Sequence, residues 1–293
     1  MSAILDRLQR GDVLLSDGAM GTELQKRGLE PGACPEELNV TKPEIVQGIY
    51  QDYFDAGSDI IETNTFGGTR ARLALHGFED RVTEFNKAAA QLAVNLKPEN
   101  KYVAGSVGPT GEMIEPLGTL SKDVVLEMFA EQIRALVEGG VDILFIETMM
   151  AAEEAELAIE AAKSVCDLPI SCTMTFEVGK AGPRTMWGIS PQQAVEKLTA
   201  AGADILGANC GRGSDEMLQI IREMRKFTEK PLLAQPNAGL PEYISGEAVY
   251  NESPESILPN ARELLALGVN IIGACCGSSP AHIKKLRELL DSL

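Results

Sequence analysis

Three of the six cysteines in this 293-residue chain stand where thiol chemistry is possible. Cys210 lies in Asn209-Cys210-Gly211, and Cys275 and Cys276 are adjacent in Ala274-Cys275-Cys276-Gly277. Each set directly follows a short apolar run that reads as a strand. Side chains from two strand ends can meet although they are far apart in sequence. A deprotonated cysteine is both a nucleophile and a metal ligand. Three thiolates suit Zn²⁺, which takes four ligands in a tetrahedron and leaves the fourth place to an exchangeable ligand at a catalytic site. Asn237, at the end of an intervening run, can offer a weak oxygen there. Two other readings stay open: buried cysteines packing as small apolar side chains, and a strained vicinal disulfide between Cys275 and Cys276. Cys34, Cys166 and Cys172 fall in a loop, at a helix end and within a strand, and are assigned to packing.

Carboxylates stand at other strand ends. Asp17, Glu62 and Glu147 can hold an ammonium group through charge-assisted hydrogen bonds, or can bind backbone amides of neighbouring loops. The turns Asp17–Thr22 and Gly108–Glu112 carry glycines, among them Gly18 and Gly108, that let backbone approach a ligand closely. Their plainer reading is a tight turn. Ala19 sits in the first turn. Asn64 and Thr65 can bind polar groups of a substrate or order their own loop, and Asn209 precedes the first thiol. His76 and His282 are the two histidines. Neither follows a strand, so a histidine triad is not expected. Trp187 covers the mouth or packs locally.

The elements that must position these residues repeat. Strands are expected at Val13–Ser16, Asp59–Glu62, Tyr102–Ser106, Ile143–Glu147, Ile170–Thr173, Ile205–Ala208, Leu232–Gln235 and Asn270–Gly273. Between them, apolar residues recur at helical period over Pro43–Ala56, Val82–Leu96, Lys122–Glu138, Ala152–Val165, Pro191–Ala201, Asp215–Phe227 and Ser256–Leu267, with a last helix near Pro280–Leu290. One turn, a glycine two residues before Asp or Asn, recurs at Gly57, Gly140, Gly202 and Gly268 and closes a helix each time. Eight strands alternating with helices imply a parallel sheet. No G-x-G-x-x-G follows the first strand, so a closed (β/α)₈ TIM barrel is expected, as a single domain over residues 1–293. Its active site lies at the C-terminal ends of the strands, where all the residues above are found.

Acidic residues number 43 and basic residues 26, a net charge of −17. That balance argues against a nucleic-acid partner. No run of about 18 apolar residues is present to span a membrane, and the N-terminal stretch is charged where a signal peptide is apolar. A cytoplasmic protein with reduced thiols is expected.

The motifs resemble the homocysteine S-methyltransferase family, and within it the N-terminal homocysteine-binding barrel of cobalamin-dependent methionine synthases. They are DGAMGTEL at Asp17–Leu24, ETNTFG at Glu62–Gly67, GPTGE at Gly108–Glu112, Glu147-Thr148, Asn209–Gly211, PNAG at Pro236–Gly239 and ACCG at Ala274–Gly277. The resemblance implies one Zn²⁺ on Cys210, Cys275 and Cys276, with Asn237 as a fourth ligand before substrate binds. It implies homocysteine as acceptor, its sulfur on zinc and its amino acid head near Asp17, Glu147 and the glycine loops.

No D-x-H-x-x-G corrinoid signature is present: Ala74 stands two residues before His76, and Pro280 before His282. The chain ends one helix after the cysteine pair. The methyl group is therefore expected from a separate methyl-corrinoid protein, with methylcobalamin supplied in trans. S-methylmethionine, S-adenosylmethionine or a betaine-type compound are the other donors of the wider family. Another thiol acceptor, or a non-catalytic zinc- and amino-acid-binding subunit, are the competing readings.

Overall fold

The structure, a computed structural model, describes residues 2–244 and 247–293. Eight parallel strands form one sheet: β1 (Leu14–Leu15), β2 (Ile60–Glu62), β3 (Tyr102–Val107), β4 (Ile143–Met149), β5 (Ile170–Met174), β6 (Ile205–Cys210), β7 (Leu232–Pro236) and β8 (Val269–Ile272). β2 to β8 pair in sequence order, and β8 then pairs with β1, so the sheet curls into a ring. β1 and β2 are not paired as strands. Asp59 N–H donates to Leu15 O at 2.6 Å, Leu15 N–H to Asp59 Oδ2 at 2.9 Å, and Glu62 N–H to Asp17 Oδ2 at 2.8 Å. A helix follows each strand, and the eight strand–helix pairs give the (β/α)₈ architecture expected from the sequence.

The recurring glycine turn has a structural task beyond ending a helix. Gly57, Gly140, Gly202 and Gly268 all adopt positive φ, a conformation that disfavours other residues. The Asp or Asn two residues on then accepts an N–H at the start of the strand before, from its first or second residue. Asp59 takes Leu15 N, Asp142 takes Val103 N at 2.8 Å, Asp204 takes Ile170 N at 2.9 Å and Asn270 takes Leu232 N at 3.1 Å. The turn thus fixes every second strand to its neighbour at the bottom of the ring.

Successive strand residues face opposite sides. Outward side chains such as Leu144, Ile146, Cys172 and Leu206 join the large core beneath the helices, which includes Phe129, Ile133 and Leu136 of the helix Lys122–Gly139. Inward ones form a second cluster of Leu14, Ile60, Ala104, Ile143, Phe145, Ile205, Leu233 and Ile271, plugged by Ile4 and Leu8 of the N-terminal helix Ala3–Gln9. The barrel is therefore filled at its bottom, and a site has room only at the top.

Several elements were not read from the sequence. Antiparallel hairpins form at Glu177–Gly179 with Gly182–Arg184, and at Pro241–Ile244 with Glu247–Tyr250. Short helices at Gly21–Lys26, Leu38–Thr41 and Arg70–Ala74 sit in the first two loops. All are too short for a periodicity to show. Among the described residues, no helix is long and apolar enough to cross a membrane.

Asp204→Ala removes the acceptor for the buried Ile170 N–H. It is expected to lower stability by about 1–3 kcal/mol, measured by urea unfolding. Asp204→Asn keeps a side-chain oxygen, as Asn270 does naturally, and should recover most of that loss.

Candidate active site

Above the apolar plug the inward residues become polar. Gln235 Nε2 reaches Glu62 Oε1 at 2.6 Å and Ser16 Oγ at 3.4 Å. Ser106 Oγ donates to Glu147 Oε1 at 2.6 Å, and Asn209 Nδ2 to Glu147 Oε2 at 3.0 Å. Thr173 Oγ1 donates to Asn209 Oδ1 at 2.7 Å, and that oxygen also takes Thr148 N–H at 2.8 Å. Glu62 and Glu147 are close enough for each to feel the other's charge, so the polar layer spans the barrel. It floors a cavity of about 260 Å³.

Two distortions aim the floor residues upward. The pairing of β4 with β5 slips between Ile146 and Met149, and there Thr148 takes φ 59°. A bulge of this kind re-aims side chains, and Glu147 and Thr148 both line the cavity. Cys210 takes φ 62° at the end of β6. Non-glycine residues in this region are strained by roughly 1–3 kcal/mol.

Cys210, Cys275 and Cys276 meet at one side of the cavity, with all three sulfurs within 4.8 Å of one another. Cys210 Sγ and Cys275 Sγ are 2.9 Å apart, and Cys275 Sγ and Cys276 Sγ 4.0 Å. No disulfide joins the described cysteines. Contacts with Cys210 and Cys275, joined by the Tyr250 hydroxyl, hold the Cys276 thiol far below its usual range. Cys275 is pushed up by Cys210, Cys276 and burial. Metal binding to thiols requires their deprotonated form. Asn237 Nδ2 donates to Gly211 O at 2.6 Å, while its Oδ1 is buried with no partner among the described residues. The three clustered sulfurs form a donor set suited to a soft or borderline cation.

Asp17 lies under the first loop. Oδ2 takes the Glu62 N–H, and Oδ1 is buried without a partner among the described residues. Burial, helped by the charge of Glu147, raises its carboxyl well above the usual range against the pull of the Glu62 amide. Burial, then Glu147 and Asp17, raise Glu62 likewise. Acids crowded in low dielectric resist ionising together, and among the described residues no lysine or arginine pairs with this set.

The other expected residues are placed as follows. Gly18 admits the Ser278 hydroxyl and Tyr53, since a Cβ would stand 2.5 Å from Ser278 Oγ. Ala19 N–H donates to Ser278 Oγ at 3.0 Å and its carbonyl takes the Tyr53 hydroxyl at 2.8 Å. Both line the cavity, as do Asn64, Thr65 and Asn209. The Asn64 amide is committed to Pro35 O at 2.8 Å and Asn39 Oδ1 at 3.0 Å, and Thr65 Oγ1 to Ser106 O at 2.7 Å. These bonds order the second loop. Gly108 and Asn237 are outside the lining, and the room at Gly108 is taken by Phe66, whose carbonyl accepts the Gly108 N–H at 3.1 Å. Trp187 is 47% exposed and is not a core residue. His282 caps the last helix through Ser279.

Tyr250, Thr22 and Arg72 were missed. Tyr250 belongs to a hairpin too short to show a period. Thr22 was quoted only as part of a turn, although its hydroxyl is buried without a partner among the described residues. Arg72, on a five-residue helix, carried no signal.

The homocysteine S-methyltransferase family model matches residues 14–290. Methionine synthase of Mycobacterium tuberculosis (strain ATCC 25618 / H37Rv) is 30% identical over 96% of this chain and 25% of its own length. Methionine synthase of Mycobacterium leprae (strain TN) is 30% identical over 94% of this chain and 24% of its own. The chain therefore spans about a quarter of the length of these relatives. The oxidised form of the homocysteine methyltransferase MmuM from Escherichia coli superposes with a TM-score of 0.79 at 24% identity, covering 96% of this chain and 97% of that one. Its metallated form gives 0.78 at 24% identity, covering 97% and 98%. At such identity the superposition speaks for the fold. The match over nearly the whole chain shows that this protein belongs to the homocysteine S-methyltransferase family.

Proposed function

We propose that this protein is a zinc-dependent methyltransferase that converts homocysteine to methionine, taking the methyl group from a separate methyl-corrinoid protein. The observation that carries the reading is the convergence of Cys210, Cys275 and Cys276 on a cavity also lined by Asp17, Glu62 and Glu147. The family membership and the words methionine synthase and homocysteine methyltransferase in the relatives' names support it. A cytoplasmic setting would keep these thiols reduced.

Cys210, Cys275 and Cys276 would hold zinc, with Asn237 or the acceptor sulfur in the fourth place. Bound there, zinc lowers the pKa of the acceptor thiol, so that it meets the methyl group as a thiolate at neutral pH. The chain's own residues then do the rest. Asp17, Glu62 and Glu147 take the acceptor's ammonium, which supplies the cation they lack. Tyr250 and the strained turn at Cys210 hold the sulfurs in place. The new S–C bond forms as the donor–methyl bond breaks. The electron pair stays with the donor, and the thiol proton has already left to solvent. No general acid or base is needed, in keeping with a cavity lined by no histidine among the described residues.

Anaerobic mixing of the zinc-loaded, reduced protein with homocysteine and methylcobalamin tests the reading. The expected result is loss of the methyl–cobalt absorption with formation of methionine. Methionine formed only from S-methylmethionine or S-adenosylmethionine would replace the corrinoid donor. Zinc and homocysteine bound without turnover on any donor would support a binding subunit instead.

Elemental analysis of the purified protein is expected to give one zinc per chain. Replacing Cys210, Cys275 or Cys276 by Ser should abolish its retention against a mild chelator, while Cys34→Ser and Cys172→Ser should keep it.

Glu62 gives a further check. Its folded pKa lies above the ordinary glutamate value of 4.5. Its contribution to stability is present below that value and is lost as pH rises toward the folded pKa. The ligand-free protein therefore loses stability as pH rises above the ordinary glutamate range. Glu62→Gln keeps an oxygen to accept from Gln235. It should raise the melting temperature more at pH 8 than at pH 5, and weaken homocysteine binding by about tenfold.

A further inference from the structure

The charge of the cavity is lopsided. Among the described residues that line it, Asp17, Glu36, Glu62 and Glu147 are acids and Arg72 is the one cation. Glu36 is already satisfied, by the Gly67 N–H at 2.7 Å and the Cys34 thiol at 3.3 Å. Arg72 is not. Its backbone N–H donates to Thr69 Oγ1 at 3.4 Å, but its guanidinium has no hydrogen bond or ion pair among the described residues. In a chain with an excess of 17 negative charges, carboxylates to pair with are plentiful, and this guanidinium faces a cavity instead.

Its surroundings hold it there. A Cβ at Gly111 would lie 3.2 Å from Arg72 Nη1 and 3.3 Å from Cδ, so the side chain lies along the third loop where a glycine makes room. That loop is fixed from behind: Glu154 Oε1 accepts both Thr110 N–H at 2.8 Å and Thr110 Oγ1 at 2.6 Å. Thr22 lines the same cavity with a buried, unpartnered hydroxyl. The cavity therefore presents an acidic set that lacks a cation, together with a guanidinium and a hydroxyl that lack an acceptor.

We propose that Arg72, with the Thr22 hydroxyl as a second donor, anchors the carboxylate of the acceptor and so selects α-amino-acid thiols over simple thiols. This rests on the acceptor being homocysteine. A guanidinium presents a planar fork of donors that matches a carboxylate, and a charge-assisted pair of this kind is stronger than a neutral hydrogen bond. The zwitterion is then held at both ends, ammonium on the acids and carboxylate on Arg72, and its sulfur is directed to the thiol cluster. Arg72 is a specificity-determining residue and takes no part in bond making.

Calorimetric titration needs no methyl donor. Zinc-loaded wild-type protein, Arg72→Met and Arg72→Lys are each titrated with L-homocysteine and with 3-aminopropane-1-thiol, which is homocysteine without its carboxylate. Arg72→Met should weaken homocysteine by about tenfold or more and leave the carboxylate-free thiol unchanged, with Arg72→Lys in between. Zinc content and melting temperature should match wild type, because the side chain is partly exposed. Unchanged homocysteine affinity in Arg72→Met overturns the proposal, and so does equal weakening of both thiols. Wild-type protein that takes up zinc but binds neither thiol would sink the homocysteine reading itself, and this inference with it.

Discussion

The seam between β1 and β2 is the constraint on which the mouth of the barrel depends. These two strands do not pair, so the ring is completed mainly by aspartate side chains and a short backbone contact, with Ser58 Oγ donating to Ser16 O at 3.5 Å. Asp59 does the bottom of the seam and is itself clamped by Lys101 at 2.8 Å and Arg287 at 2.6 Å. Asp17 does the top. One of its oxygens closes the ring on Glu62 N–H, which leaves the other buried and unpaired beside the cavity. A backbone ladder would have closed the barrel without bringing a carboxylate to this point. Closure by a side chain makes the same residue part of the wall and part of the site.

That placement sets the electrostatics of everything above the plug. Asp17, Glu62 and Glu147 converge because they occupy inward positions at three strand ends, and among the described residues no lysine or arginine neutralises them there. Burial accordingly raises the carboxyls of Asp17 and Glu62 well above the usual range. Burial of unpaired acids lowers stability, and it also makes the pocket a sink for an ammonium group. The Glu62 amide bond to Asp17 keeps the set from rotating away to solvent. Stability and affinity are therefore opposed at these positions, which is the usual relation at a binding site.

Much of this was legible in the sequence, for identifiable reasons. The glycine turns at Gly57, Gly140, Gly202 and Gly268 marked four helix ends, because a left-handed residue is hard to replace. They also carried the Asp or Asn that ties neighbouring strands, a task that spacing alone did not disclose. Cys210 and the Cys275–Cys276 pair were legible because a barrel gathers its strand ends at one mouth. Arg72, Tyr250 and the commitment of Asn64 to Pro35 and Asn39 were not legible. Each depends on a loop folding back on itself, and short helices and hairpins have too few residues for a period. The room at Gly108 was expected to face a ligand. Phe66 fills it, because glycine admits any close neighbour and its identity does not say which.

The adjacency of Cys275 and Cys276 poses a geometric problem that the fold solves locally. Consecutive residues in a strand point to opposite faces, so two neighbouring cysteines in β8 would be split between the barrel interior and the helix layer. β8 ends at Ile272, before the pair. The chain then turns, with Ser278 N–H bonded to Cys275 O at 3.2 Å and Gly277 at φ 81°. Gly277 is required twice over, because a Cβ there would also fall 2.0 Å from the Tyr250 ring. The ring packed on that glycine brings its hydroxyl to Cys276, so the hairpin that carries Tyr250 fixes the sulfur from outside while the turn fixes it from within. Cys210 reaches the same point by its own left-handed residue at the end of β6. The sulfur cluster is thus made where two strands stop being strands, and the strain at those ends is what lets residues of opposite facing share one centre.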